Sequence, residues 1–253
     1  MRGNRRWLMS FRSEPAACPL RLVCFPHAGG SAGSVFPLSA AAPPELDVVA
    51  VQYPGRQWRR SEAAEHDLHG LARGAAEAVA ALPPAPTAFL GHSMGALVAF
   101  ETARLLERRH PGGVLHLFAS GSRAPAHPRA EARRGTWSDE QIVAEVRRLG
   151  GTDAGMLPDD EALRMNLPAL RDDYRALAAY ACAPGAATGV PLTALVGRED
   201  PTTGPDDAAR WRTHTTAAFG GVHVFPGGHF YLAAQADAVL RLVIERLAAV
   251  PRP

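Results

Sequence analysis

Apolar residues along this chain come in short, nearly continuous runs separated by longer stretches with helical spacing. The runs LRLVCF (20–25), LDVVAVQY (46–53), TAFLGH (87–92), VLHLFAS (114–120), PLTALVG (191–197) and VHVF (222–225) lack the alternation of a strand with one wet face. They predict strands of a parallel sheet covered on both sides. Between them, the spacing predicts helices near 66–81, 95–109, 205–217 and 231–248. The last of these repeats apolar residues three and four apart, the stripe a helix needs to pack on a sheet. Strand and helix in this alternation predict an α/β fold with a mostly parallel, doubly wound sheet.

The alternation stops after Ser120. From about Ser122 to Ala183 no strand pattern appears, and two amphipathic stretches, SDEQIVAEVRRLGG and DEALRMNLPALRDDYRALAAY, fill the gap. Ser138 and Asp159 suit helix N-caps, and Gly150–Gly151 suits a stop. An all-helical insertion of this length reads either as a lid over a site or as added scaffold.

Composition removes whole classes of function. The 253 residues suffice for a substantial core, and the net charge of +2 gives no basic patch of the kind nucleic-acid binders carry. All 27 cationic residues are arginine, which excludes Schiff-base lysines and a Walker-type phosphate loop. Four arginines fall in the first twelve residues, which read as a frayed terminus or, less favoured, a basic arm. No apolar run reaches signal-peptide or membrane-span length, so the cytoplasm is the expected compartment. Cys18, Cys24 and Cys182 have no metal-ligand spacing and predict no disulfide framework.

The chemistry is concentrated at Gly91-His92-Ser93-Met94-Gly95. This is G-x-S-x-G between a predicted strand and a predicted helix, the setting of a nucleophile elbow. A serine hydroxyl needs a base, and an imidazole base needs an acid to fix its tautomer. LVGRED puts Asp200 just past one strand, and FPGGHF puts His229 on a glycine-rich turn past the next. Glu199, Asp206 and Asp207 are rival acids. His92 ends a strand and faces away from Ser93, which suits a structural role, while His214 and His223 read as surface or sheet residues. His66 and His69 read as a solvated pair. FPHAGGSAGS (25–34) suits either a loop of inward-facing amides or a phosphate cradle, the second disfavoured without lysine or GxGxxG. Arg56, Arg59 and Arg60 beside Trp58 read as a patch steering an acidic partner or as a solvated loop.

PHAGGSA, YPGR (53–56), GHSMGALVAFE, LVGREDP and GGHFYL, in this order, resemble the type II thioesterases. These are stand-alone α/β-hydrolases that accompany polyketide synthases and non-ribosomal peptide synthetases. The resemblance implies one α/β-hydrolase domain over 1–253, a helical lid at about 122–183 and no cofactor or metal. It implies Ser93 as nucleophile, His229 as base and acid, Asp200 as orienting carboxylate, and the amides of Ala28 and Met94 as oxyanion hole. The substrate would be an acyl group on the phosphopantetheine arm of an acyl or peptidyl carrier protein, bound transiently by a monomer. Met156, Leu157, Leu163, Leu167, Leu170 and Tyr174 would line an acyl chamber, or simply pack the helices. A general carboxylesterase or lipase, an acyltransferase, and a non-catalytic binder on the same scaffold remain the alternatives.

Overall fold

The computed structural model describes residues 6–12, 20–109, 112–127, 136–150 and 160–248. Cys18, Met156, Leu157 and Asp159 lie outside these. A seven-stranded sheet is formed by β1 (Leu8–Ser10), β2 (Leu20–Phe25), β3 (Leu46–Val51), β4 (Thr87–His92), β5 (Leu117–Ser120), β6 (Leu192–Gly197) and β7 (Phe219–Phe225). The spatial order is β1-β3-β2-β4-β5-β6-β7, and every pairing is parallel except β1 on β3.

The unbroken hydrophobicity of the strands has a direct cause. Val23 and Phe25 of β2, Phe89 of β4, and Leu117 and Ala119 of β5 enter one core. Leu22 and Cys24, Ala88 and Leu90, and Phe118, one residue out of phase, enter the other. Helices α2 (Leu68–Ala80) and α3 (Met94–Glu107) cover the first face; α1 (Phe36–Ala41) and α8 (Ala236–Ala248) cover the second. Both faces of the central strands are thus largely covered by apolar packing.

β1 overturns the reading of the N-terminus as frayed. Its three residues pair with Val49 to Val51, and the Trp7 carbonyl accepts from the Gln52 amide at 2.7 Å. Arg12 donates to the carbonyls of Pro43 and Pro44 at 2.7 and 2.9 Å, so one of the arginines there is a tether. The predicted helix at 205–217 also differs. It is α6 (Pro205–Ala209) followed by a tight 3-10 turn, Arg210–His214. The tightening drives Trp211 and His214 inward, where Trp211 Nε1 donates to the Ser122 carbonyl at 2.8 Å and His214 Nδ1 lies 2.8 Å from the Ala186 carbonyl. His214 is therefore a buried anchor and not a surface residue; His223 lies in β7, as expected. The final helix is broken into α7 (Tyr231–Ala234) and α8.

Between β5 and β6 the described residues carry α4 (Asp139–Arg148) and α5 (Asp160–Ala179). Ser138 and Gln141 form a reciprocal capping box, and Gly150, at φ 76°, closes the helix end through its amide on the Arg147 carbonyl. Ile142, Val146, Leu163, Leu170, Tyr174 and Leu177 are buried in the first core. Among the described residues no helix is long and apolar enough to cross a membrane.

After β2 the chain moves outward to β3, then returns across β2 to β4. Successive connections therefore part at the carboxyl ends of β2 and β4, the point where an open α/β sheet leaves a crevice.

Candidate active site

Ser93 is the entire turn between β4 and α3. Its backbone sits at φ 55°, ψ −119°, where a Cβ is strained. The turn is pinned by the Ser93 amide on the Ser120 carbonyl at 2.8 Å and by the Ala96 amide on the Ser93 carbonyl at 3.1 Å. The flanking glycines answer to space rather than torsion. A Cβ on Gly91 would lie 2.3 Å from the Gly95 carbonyl oxygen, and one on Gly95 only 2.0 Å from the Phe25 carbonyl oxygen. The second approach seats the start of α3 directly on the end of β2. The Met94 amide belongs to the first turn of α3, where amides have no partner within the helix.

His229 lies on the turn after β7, which Gly227 makes possible with φ 112°. His229 Nδ1 is 2.8 Å from Asp200 Oδ2, and both side chains are buried. The other carboxylate oxygen, Asp200 Oδ1, accepts from the Thr202 amide at 2.8 Å and from Thr202 Oγ1 at 2.7 Å. Burial opposes ionisation of Asp200, but the hydrogen bond and charge of His229 and the two Thr202 donations outweigh it. The carboxyl is held below its usual range.

The rival acids are occupied elsewhere. Glu199 Oε2 accepts from the Gly227 amide at 2.7 Å, bracing the turn that carries His229. Asp207 pairs with Arg123 and His127, and Asp206 is exposed in the first turn of α6. His92 stands behind His229, with ring centroids 5.0 Å apart, and its Nδ1 is 3.0 Å from Ser120 Oγ, itself 2.7 Å from the Tyr231 hydroxyl. Burial, reinforced by the neighbouring His229 and His27 rings, pushes His92 well below the ordinary imidazole range. His66 precedes α2 and lies 3.4 Å from Asp172 on α5; His69 is in the first turn of α2, 3.9 Å from Glu101.

The loop after β2 turns at His27–Gly30. The Gly30 amide donates to the His27 carbonyl at 2.9 Å, and Gly29 sits at φ 73°. The segment QYPGR (52–56) buttresses it. The Ala32 amide donates to Gln52 Oε1 at 2.7 Å, and the Tyr53 hydroxyl donates to the Pro26 carbonyl at 3.3 Å. For Arg56 and Arg59 this overturns both readings, a steering patch and a solvated loop. Arg56 is buried and ion-paired with Asp173 of α5. Arg59 is buried too, donating to the Gln52 carbonyl at 2.8 Å and to Glu62, with its guanidinium over the Trp7 ring. Only Arg60 and Trp58 of that group are exposed.

These pieces enclose a cavity of about 400 Å³ onto which Ser93, Met94, Ala28 and His229 all open. Of the residues expected to form an apolar chamber, Leu170 and Tyr174 line it, whereas Leu163 and Leu167 do not. Leu163 is taken up by the core and Leu167 packs on it. Val146, Leu149 and Leu177 add to its apolar lining, and Ser31, Ser34, Gln57 and Asn166 to its polar lining. Sequence reasoning passed over Thr202 and Asp173. An Asp-x-Thr spacing is a turn signal that points to the first. A carboxylate three residues after Leu170, on the apolar face of α5, points to the second.

The Thioesterase domain family matches residues 20–247. A probable cadicidin biosynthesis thioesterase of Streptomyces griseus is 50% identical over 242 residues, covering 96% of this chain and 66% of the relative, so the chain spans just under two thirds of that protein. Thioesterase PikA5 of Streptomyces venezuelae is 44% identical, with 95% and 85% covered. Among solved structures, the type II thioesterase BorB from the borrelidin biosynthetic cluster superposes with a TM-score of 0.84 at 41% identity, covering 95% of this chain and 97% of BorB. The type II thioesterase YbtT of the yersiniabactin pathway gives 0.83 at 28% identity, with 96% and 98% covered. A serine on a strained turn, a buried His–Asp pair on the neighbouring rim and this coverage lead to one assignment: the chain belongs to the thioesterase family, among the type II thioesterases of polyketide and non-ribosomal peptide pathways.

Proposed function

We propose that the protein hydrolyses acyl groups from the phosphopantetheine thiol of acyl or peptidyl carrier proteins, clearing stalled or aberrant units. The observation that carries this reading is the common cavity. Ser93, His229 with its Asp200 partner behind it, Ala28 and Met94 meet at one space lined by both apolar and polar residues. A thioester needs no metal or cofactor here, since its carbonyl is electrophilic and a thiol leaves readily.

In this reading His229 Nε2 takes the Ser93 proton as Oγ attacks the thioester carbonyl. The amides of Ala28 and Met94 take up the oxyanion, and the N-terminus of α3 adds its positive end. Asp200, fixed by Thr202, stabilises the imidazolium, which then protonates the departing thiolate. Water, deprotonated by His229, attacks the acyl-serine and releases the acid. The helical segment at 122–183 serves as the lid of a single domain over 1–253, with Leu170 and Tyr174 against the acyl group. The polar lining of the cavity suits the amides of the phosphopantetheine arm. The enzyme works as a monomer on a transiently docked carrier.

The test compares wild type with Ser93→Ala on an acyl-carrier thioester and on a simple aryl ester. Wild type should release free acid from the carrier in preference to the aryl ester. Ser93→Ala should fold normally and lose on the order of 10⁴-fold or more in kcat. Near-normal turnover by Ser93→Ala, or a wide preference for the aryl ester, would overturn the reading.

A further inference from the structure

Arg56 of YPGR is a motif residue with no part in the proposed chemistry, yet its guanidinium is buried. Its partner, Asp173, is 1% exposed and lies 117 residues further along the chain. Asp173 Oδ1 accepts from Arg56 Nη2, and Asp173 Oδ2 accepts from the Gly29 amide at 2.6 Å. One carboxylate therefore joins α5, the segment after β3 and the loop after β2.

We infer that Arg56 and Asp173 are positioning residues for the acyl-transfer step, fixing through the Gly29 amide the His27–Gly30 turn whose preceding peptide, His27–Ala28, carries the Ala28 N–H. The inference rests on the thioesterase reading with Ala28 as an oxyanion donor. His27 to Gly30 form a four-residue turn closed by the Gly30 amide, with φ positive at the third residue, as in a type II turn. Types I and II differ by a flip of the central peptide, here Ala28–Gly29. The Gly29 N–H belongs to that peptide, so a fixed acceptor for it selects one orientation. Asp173 is such an acceptor, and Arg56 holds the acceptor in turn. The guanidinium is itself set over the Tyr53 ring at 4.9 Å, and the Tyr53 hydroxyl secures Pro26 one step before the turn.

The helix that supplies Asp173 also closes the space beside the turn. A Cβ on Gly29 would lie 2.4 Å from Leu170 Cδ2, on the same face of α5. The apolar wall of the cavity and the brace of the proposed oxyanion loop are thus one helix face. Packing alone does not call for an ion pair at this depth, because apolar residues of similar volume often replace a buried pair without loss of stability.

That equivalence supplies the test. The double variant Arg56→Met/Asp173→Leu removes both charges and the acceptor for Gly29, while Asp173→Asn keeps the side chain's shape. For each folded variant, kcat and KM on an acyl-carrier thioester are measured with the melting temperature. The rate of Ser93 labelling by a fluorophosphonate, whose adduct places an oxygen in the oxyanion site, is read alongside. The expected result is a kcat about 10–100-fold lower, a matching fall in labelling, and a KM within about threefold of wild type. A folded variant with kcat and labelling within about threefold of wild type would overturn the inference. Should the double variant fail to fold, Asp173→Asn decides by the same criteria. Wild type without Ser93-dependent turnover would overturn the proposed function itself. Ser93-dependent turnover undiminished in the Asp173 variants would overturn the pair's role alone.

Discussion

Replacing Ser93 by glycine should make the protein more stable than replacing it by alanine, although both changes remove the hydroxyl. Ser93 is held at φ 55°, ψ −119°, with its amide and carbonyl both engaged, so the torsion is imposed by β4, β5 and α3. A residue with a Cβ pays about 1–3 kcal/mol for a conformation of this kind. Glycine adopts it freely, but gives back about 0.5–1 kcal/mol through the larger entropy of its unfolded chain. The Ser93 side chain makes no capping hydrogen bond, so its loss adds little to either variant. The difference between Ser93→Gly and Ser93→Ala should therefore be about 1 kcal/mol in favour of glycine. For a chain of this size that is about 2–4 °C in Tm. Urea unfolding at matched m-values is the assay, since with equal slopes a shift in midpoint is a change in stability. A midpoint for Ser93→Gly at or below that of Ser93→Ala would refute the claim that the turn stores strain.

Two further outcomes follow from the buried groups. Asp200→Asn should retain the fold while kcat falls by about 10³–10⁴-fold, because an amide at this position can present its NH₂ to Nδ1 and favour the wrong tautomer; a loss under about tenfold would remove Asp200 from the assigned role. His92 and His116 are buried, and burial depresses both imidazoles, His116 to about 4 with Arg246 adding to the effect. With folded values below the unfolded one of about 6.5, their contribution is complete above that pH and is lost as the pH falls towards the folded values, with a slope of up to about 1.4 kcal/mol per pH unit for each group. His116→Gln should accordingly flatten the decline of the urea midpoint between about pH 6.5 and 4, and an unchanged slope would count against a neutral His116.

The central strands were legible because each feeds two cores, leaving runs such as LVCF of residues 22–25 in which successive residues are all apolar. β1 was not, since three residues at a sheet edge produce no run, and the arginines around them suggested solvent. The serine turn was legible because its glycines are demanded locally, by contacts within a few residues or with the adjoining strand end. Asp200 and Glu199 could not be separated by position. What distinguishes them is tertiary, one carboxylate meeting His229 and the other the Gly227 amide. Arg56 and Arg59 were misread for a related reason. Formal charge in a loop motif says nothing of burial, and the partner that lets Arg56 be buried belongs to α5.

The placement of the reacting groups across the sheet has a practical consequence. Ser93 follows β4, at the sheet's centre, whereas His229 follows β7, the outermost strand on its side, beyond β5 and β6. Peripheral strands open at lower free energy than interior ones. Fraying at that margin would part His229, the proposed base, from Ser93, the proposed nucleophile, while most of the hydrophobic interior stayed closed. Loss of turnover on warming is thus set by the weakest margin of the molecule, and bulk spectroscopic melting by its strongest layers.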